Sequence, residues 1–208
     1  LADGMPPLLC FSNGVDNEPV LEAALGKGKV IPGTVTSSVG RRRVGDIILE
    51  RKRGVGVAAG HPLSISLVEA LDAAGLHARL FDRPPDMKWS KMLTNLPANA
   101  TAAILDMTAA DVFANPDLFR LEMDMLREAL AVMRALQVKV VNLPGVPVRL
   151  LALGAHLPAF IARPLMKKAV GGGRGGKRPS FHIDLHSGRG KSEVDWLNGA
   201  VVRYGRES

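Results

Sequence analysis

The sequence has little of what a disulfide-bonded or membrane-spanning protein needs. Among its 208 residues there is one cysteine, Cys10, so no internal disulfide can form. The place of Cys10 in an apolar run predicts a buried thiol in a reducing cytosol. No apolar run reaches the roughly 18 residues that a membrane span requires, and no signal peptide is recognisable. We therefore expect a cytoplasmic protein that does not engage a membrane.

Aromatic residues are also scarce, at 4%, which bears on the meaning of the formal charge of +7. The basic residues fall in separate short groups, and aromatics do not interleave with them as single-strand nucleic-acid binders require. Nucleic-acid binding is therefore not expected. A nucleic-acid binder would instead bring Arg41–Arg43 and Arg174–Arg178 together on one face.

Patterns for a metal site or a phosphate-binding P-loop are incomplete. The histidines show no metal-ligand spacing beyond the i, i+4 pair His182 and His186. Gly171–Lys177 matches most of a P-loop, but Arg178 stands where Ser or Thr should hold magnesium, and Pro179 cannot continue as the required helix. We predict no metal site and treat this stretch as a basic loop.

The first 85 residues read as mixed strands and helices. Short apolar runs alternate with Gly- and Pro-containing turns, and a helix is predicted over Glu18–Leu25. Ile47–Glu50 and Gly54–Val57 are predicted to form a hairpin. A helix from Pro62 to about Ala74 and a strand over His77–Phe81 follow. The turn-rich segment after that strand predicts a domain boundary near residue 85.

Beyond residue 85 the pattern is helical. The longest predicted helix is amphipathic and is opened by the cap Asn115-Pro116. Such a helix would also suit a non-catalytic interaction protein. The predicted helical segments are Lys88–Ala103, Ala109–Phe113, Asp117–Leu136, one or two within Pro147–Ala169, Phe181–Leu185 and Glu193–Tyr204.

Three polar constellations could carry chemistry. Lys91, Asn95 and Asn99 are spaced at i, i+4 and i+8, which predicts one shared helix face with a cation and two amides, although a solvated polar face has the same spacing. Asn13-Gly14 follows an apolar strand, at the end of an α/β sheet where ligands bind. The third is the polar run from Ser180 to Gly199.

Taken in order, these segments resemble the ketopantoate reductase (2-dehydropantoate 2-reductase) family. Each motif alone is weak, whereas the ordered set covers nearly the whole chain. The matching motifs are Asn13-Gly14, Pro32-Gly33, Lys91/Asn95/Asn99, Ser180/Asp184, Gly188-Arg189, Ser192–Asp195 and Leu197–Gly199.

The resemblance implies a fold of class α/β plus all-α. Residues 1–85 would be part of an NADP-binding Rossmann-type domain, and residues 86–208 a helical substrate and catalytic domain like that of 6-phosphogluconate dehydrogenase. The family's Gly-x-Gly-x-x-Gly turn between a strand and a helix is not found in the sequence. We therefore expect a fragment that is inactive as a reductase by itself.

The resemblance also implies NADPH-dependent reduction of a 2-oxo acid, typically ketopantoate to pantoate in pantothenate biosynthesis, by a protein that could be a homodimer. Ser12, where Gln is common, and Ala109, where some members have Asn, put the exact 2-oxo acid in doubt. The implied roles are general acid for Lys91, substrate binding for Asn95, Asn99 and Ser180, and cofactor binding for Asn13 and Glu193.

Overall fold

The structure is a computed structural model that describes residues 4–174, 181–182, 185 and 192–208. It divides into two compact units. The first unit runs to Lys91 and includes Val140–Pro147, and the second contains Met92–Lys139 and the chain from Val148. The division therefore falls inside a helix, whereas the sequence places it at the first turn of that helix.

A four-stranded sheet forms the first unit, with strand order β1-β2-β5-β6. β1 and β2 are parallel, β2 and β5 antiparallel, and β5 and β6 parallel. Two helices connect the parallel pairs, as a parallel pairing requires. The elements are β1 (Leu8–Cys10), α1 (Asn17–Leu25), β2 (Val30–Val35), β3 (Ser38–Arg43), β4 (Asp46–Arg51), β5 (Val55–Ala58), α2 (Ser64–Ala73) and β6 (Ala78–Phe81).

One apolar cluster of this sheet is aliphatic. Ile31, Val55 and Val57 are buried, and Leu67 and Leu71 of α2 pack against them. All four residues of β5 are buried, which suits a strand between two neighbours and covered by a helix.

The hairpin predicted between Ile47–Glu50 and Gly54–Val57 is wrong. β4 pairs instead with β3, which precedes it, from Ser38↔Arg51 to Arg43↔Asp46. Gly45, with φ of 79°, supplies the left-handed residue that the tight turn between β3 and β4 needs. The exposed β4 suits a two-stranded ribbon, whereas the fully buried β5 belongs inside the sheet.

Helices form the rest of the chain. α6 is the longest, and its buried side includes Phe119, Met123 and Leu126. The Asn115 side chain caps it by accepting from the N–H groups of Asp117 and Leu118, as the sequence predicts. The helices are α3 (Pro84–Asn95), α4 (Asn99–Ile104), α5 (Ala109–Ala114), α6 (Pro116–Ala135), α7 (Val148–His156), α8 (Ala159–Arg174) and α9 (Asn198–Glu207), with a 3₁₀ turn over Glu193–Asp195 before α9.

One feature of the helical part differs from expectation. The loop predicted from Gly171 begins later, because α8 continues to Arg174. The first glycine of the P-loop-like pattern therefore lies in a helix rather than after a strand. Among the described residues, no helix is both long and apolar enough to cross a membrane.

Candidate active site

Lys91 and Asn95 lie one turn apart in α3. Lys91 is half-buried, and Asn95, also half-buried, is the last residue of the helix. Apolar neighbours hold this end of α3 in place, since Met92, Leu93 and Leu96 are fully buried. The backbone that carries the Lys91 ammonium and the Asn95 amide is therefore anchored, so this turn can present a cation and a hydrogen-bonding group from a fixed position.

Asn99 does not continue the same helix face, and the single helix predicted over Lys88–Ala103 is wrong. The helix breaks after Asn95 and resumes at Asn99, where Ala98 adopts a left-handed φ of 56°. Pro97 favours this break because it has no N–H to donate to the carbonyl one turn earlier. Asn99 is therefore placed by an elbow between α3 and α4 rather than by helical periodicity.

Glu122 of α6 holds this elbow. Its carboxylate Oε2 accepts a hydrogen bond of 2.7 Å from the N–H of Ala98, and the side chain is fully buried. Sequence reasoning missed this residue. The signal that could have found it is a charged residue at an apolar position. Glu122 lies on the apolar stripe of the longest helix, three residues after Phe119 and one before Met123.

Asn99 is buried and contacts the C-terminal polar run. Its Oδ1 accepts from the N–H of Phe181 at 3.3 Å, which ties residue 181 to the start of α4. Ser180, the residue before Phe181, lies outside the described residues. Glu193 is half-buried and opens the 3₁₀ turn, where the Ser192 side chain accepts from the N–H of Val194.

Asn13 lies in the first unit, in the turn after β1. It is exposed, and its carbonyl accepts from the side-chain amide of Asn17 at the start of α1. The next residue, Gly14, has a φ of 90° and is buried, so the turn needs a residue without a Cβ there. This is the carboxyl end of a parallel strand, as the sequence predicts.

Lys88 ties α3 to this turn. Its Nζ donates to the carbonyl of Ser12 at 2.6 Å and lies 2.7 Å from Glu18 Oε1. Lys88 and Glu18 are only 5% and 7% exposed, so the ion pair is buried. Sequence reasoning missed this pair as well. A lysine one turn before Lys91 gives no indication by itself that it points into the sheet.

No metal centre is formed by the described part of the chain, in which no three His, Cys, Asp or Glu side chains lie close enough to hold an ion. His182 is buried, and its Nε2 lies 2.6 Å from Asp106 Oδ1. His186, four residues later in the sequence, falls outside the described residues.

The comparison that decides the family is a match between a family of known sequences and the second half of this chain. The family described as "Ketopantoate reductase PanE/ApbA C terminal" matches residues 85–208. The chain belongs to the ketopantoate reductase family. The matched segment contains Lys91, Asn95, Asn99, Ser180 and Glu193.

Curated relatives extend the similarity beyond that segment. A 2-dehydropantoate 2-reductase from Streptococcus pyogenes is 23% identical over 208 residues, which cover 96% of this chain and 61% of the relative. A 2-dehydropantoate 2-reductase from Pyrobaculum aerophilum is 28% identical over 154 residues, or 74% of this chain and 48% of the relative. The chain thus spans about three fifths of the length of the Streptococcus relative.

Solved structures confirm the predicted fold class, an incomplete α/β part followed by a helical part. A PanE/ApbA family ketopantoate reductase from Ralstonia eutropha superposes with a TM-score of 0.75 at 22% identity, over 96% of this chain and 59% of that one. D-mandelate dehydrogenase in complex with NADH superposes with a TM-score of 0.73 at 20% identity, over 96% and 68%.

Two spatial expectations stay predictions. One is that Lys91, Ser180 and Glu193 line a single cleft, as the reductase interpretation requires. The other is the clustering of Arg41–Arg43 with Arg174–Arg178 that nucleic-acid binding would require. The positions after Arg174 in that second group fall outside the described residues.

Proposed function

We propose that this chain is the larger part of a nicotinamide-dependent reductase that converts a 2-oxo acid to a 2-hydroxy acid. The observation that carries the proposal is the family match over residues 85–208, which includes Lys91 and both asparagines of the α3–α4 elbow. Curated relatives named 2-dehydropantoate 2-reductase support the same reaction. Ketopantoate is the proposed substrate.

The nicotinamide cofactor, when bound, supplies a hydride to the carbonyl carbon of the substrate. Lys91 donates a proton to the carbonyl oxygen as that oxygen gains negative charge, and its ammonium stabilises the charge before the proton moves. With Oδ1 of Asn99 engaged by Phe181, its Nδ2 would donate to a substrate oxygen. Asn95 and Ser180 are proposed to hold the remaining substrate oxygens.

The described residues fit the nicotinamide end of such a cofactor. The exposed Asn13 stands at the carboxyl end of β1 beside a left-handed glycine, which lets a ligand approach the backbone closely. We propose that Asn13 and Glu193 hydrogen-bond the nicotinamide and its ribose. A Gly-rich turn leading from a strand into a helix, which would hold the pyrophosphate, is not found in the described part of the chain.

The test of the mechanism is Lys91→Ala, measured in a version of the enzyme that includes the Gly-rich cofactor turn. We expect kcat for ketopantoate to fall by roughly 10²–10⁴-fold, the range for loss of a general acid, with little change in NADPH affinity. Lys27→Ala, at an exposed position in the turn after α1, is the matched control and should retain full activity. Equal kcat for Lys91→Ala and the parent would remove Lys91 from the mechanism.

A second candidate is a reductase for a bulkier 2-oxo acid that uses NADH. This candidate comes from the solved D-mandelate dehydrogenase with NADH, whose backbone is about as similar to this chain as that of the ketopantoate reductase. Comparing kcat/KM for ketopantoate and phenylglyoxylate, each with NADPH and NADH, distinguishes the two. We expect ketopantoate with NADPH to be the best pair.

The proposed function has a proposed oligomeric state and a proposed cellular location. A ketopantoate reductase from Staphylococcus aureus with a TM-score of 0.71 is described as dimeric, and we propose a homodimer here. The buried Cys10 supports a cytoplasmic location. Light scattering after size exclusion should give twice the chain mass. A monomer at micromolar concentration would contradict this part of the proposal.

We propose that the chain by itself lacks reductase activity, because its described residues include no Gly-rich turn that would bind the cofactor pyrophosphate. Mixing the purified chain with NADPH and ketopantoate should give no loss of absorbance at about 340 nm beyond the protein-free control. Turnover that exceeds this control and disappears in Lys91→Ala would show that the chain is a sufficient catalyst.

A further inference from the structure

A basic cleft of about 770 Å³ lies in the first unit, apart from the proposed active-site residues. Its walls come from the end of β4 and the start of β6, and from the segment at Pro144. None of its lining residues is proposed to bind substrate or cofactor. The charged and titratable groups of the lining are Arg51, Lys52, Arg53, Arg79, His77 and Asp72.

The cleft has a strong excess of positive charge. Four of its lining residues are permanent cations, and none of the four forms an ion pair with a carboxylate of the described residues. The one acid, Asp72, accepts a hydrogen bond from the N–H of Ala78 through its Oδ1. Burial lowers the pKa of the Arg53 guanidinium, and the charge on Arg51 lowers it further.

The backbone that carries Arg53 is held in place. The Ser37 hydroxyl oxygen accepts from the N–H groups of Arg53 and Gly54 at 3.0 and 3.1 Å. Thr36 Oγ1 lies 2.7 Å from the carbonyl oxygen of Pro144 on the opposite wall. A Cβ on Gly54 would lie 2.5 Å from Pro144 Cβ, so the two walls meet too closely for any other residue there. These contacts therefore join the segment that carries Arg53 to the segment at Pro144.

Arg79 is also positioned. One of its Nη1 N–H groups donates to the carbonyl of Asn142 at 3.2 Å, and the guanidinium lies 4.9 Å from the centre of the Phe81 ring. These contacts fix the plane of a group that has five N–H donors, so several remain for a ligand. His77, at the start of this wall, has a left-handed φ of 49°, a conformation that is costly for a residue with a Cβ and that is found more often at binding sites.

We propose that this cleft binds a small molecule that carries two or more phosphate groups. Several cations within one cleft repel each other, and a multivalent anion offsets that repulsion where a single carboxylate would neutralise only one of them. Guanidinium groups also match phosphate oxygens in pairs, which favours phosphate over a spherical anion. The volume is that of a pocket for a ligand of nucleotide size.

A small phosphorylated ligand fits the cleft better than a nucleic acid. Single-strand binders stack bases on aromatic side chains. No Phe, Tyr or Trp side chain lines this cleft, and the nearby Phe81 is buried and faced by Arg79.

Titration of the chain with sodium tripolyphosphate in a calorimeter tests the proposal. We expect saturable one-to-one binding that weakens as salt is added. The variant Arg51→Gln/Lys52→Gln removes two exposed cations of the cleft and should raise Kd by about tenfold or more, or roughly 1.4 kcal/mol. The control variant Lys27→Gln/Arg42→Gln removes two exposed cations elsewhere in the same unit and should change Kd by less than about twofold.

Three results would overturn the proposal. The first is no saturable binding of tripolyphosphate by the parent chain. The second is an equal loss of affinity in both double variants, which would show a general effect of net charge. The third is tighter binding of a 12-nucleotide single-stranded DNA than of tripolyphosphate, with the same loss in the cleft variant.

A further variant guards against a loss of binding that is caused by misfolding. Arg53→Lys keeps the positive charge but loses the paired N–H donors of the guanidinium. It should weaken binding of tripolyphosphate while its circular dichroism spectrum stays that of the parent.

Discussion

Each unit buries a glutamate beside a left-handed turn, but the two are stabilised differently. In the first unit, Glu18 follows Gly14, and its Oε1 lies 2.7 Å from Nζ of Lys88. In the second unit, Glu122 accepts a hydrogen bond of 2.7 Å from the N–H of Ala98. The first carboxylate is held by the attraction of an opposite charge, and the second by a backbone donor.

This difference predicts which replacements of the buried glutamate and its partner each turn tolerates. An ion pair needs a specific basic partner, and losing that partner leaves an uncompensated buried charge. A backbone donor is present whatever the side chain, so the contact to Ala98 needs an acceptor oxygen at position 122 and does not need a charge. The two sites should therefore respond differently to replacements that remove charge but keep shape.

The largest effect is expected for Lys88→Met, which leaves Glu18 buried without its cation. We expect a loss of about 3–5 kcal/mol in the free energy of unfolding of the first unit. Urea unfolding followed by Trp89 fluorescence measures it, because Trp89 is buried in that unit, and a Trp196→Phe background removes the signal of the second unit.

The matched control for that experiment is the double variant Lys88→Met/Glu18→Gln. Removing both charges should recover at least about 1 kcal/mol relative to Lys88→Met alone, since neighbouring partners of one ion pair do not act additively. Strict additivity of the two single variants would show that the pair is not coupled and that the comparison fails for the first unit.

A smaller effect is expected at the elbow. Glu122→Leu should cost about 1–3 kcal/mol, because the buried N–H of Ala98 loses its acceptor, whereas Glu122→Gln keeps an oxygen there and should cost clearly less. Amide hydrogen exchange at Ala98 gives the local readout, with faster exchange in the leucine variant. Equally fast exchange in both variants would mean that the charge of Glu122, not its oxygen, holds the turn.

The two left-handed turns, at Gly14 and at Ala98, should also differ in how a replacement changes their backbone strain. Gly14→Ala places a Cβ on a residue with φ of 90° and should destabilise the first unit by about 1–2 kcal/mol. The variant should also move the Asn13 side chain, which a chemical-shift change of its amide would report. Unchanged stability and shifts would indicate that the turn has a right-handed alternative.

The smallest effect is expected for Ala98→Gly. Relief of the left-handed conformation at φ of 56° is offset by loss of a buried methyl group, worth about 0.8 kcal/mol, so the net change should stay within about 1 kcal/mol. A loss of 2 kcal/mol or more in urea unfolding would show that the methyl contacts, and not the backbone, define this elbow.

Much of the fold could be predicted because local rules decide it. The cap at Asn115, the helix over Pro116–Ala135 and the strand end at Asn13 follow from periodicity, capping and glycine punctuation. The pairing of β4 could not be predicted in the same way. A glycine on each side of that strand allows a turn in either direction, and burial of β5 between two neighbours is a property of the assembled sheet.

The sequence by itself determined the family and the order of the polar motifs, since residue identity and spacing are what a family resemblance compares. It also determined that Lys91 and Asn95 share one turn, because helical geometry follows from their spacing. Only the tertiary structure decided that Asn99 reaches its place through an elbow held by Glu122, and that Lys88 and Glu18 form a buried ion pair beside the turn after β1. These contacts join residues tens of positions apart, and no local propensity encodes which distant side chain will satisfy a buried donor or charge.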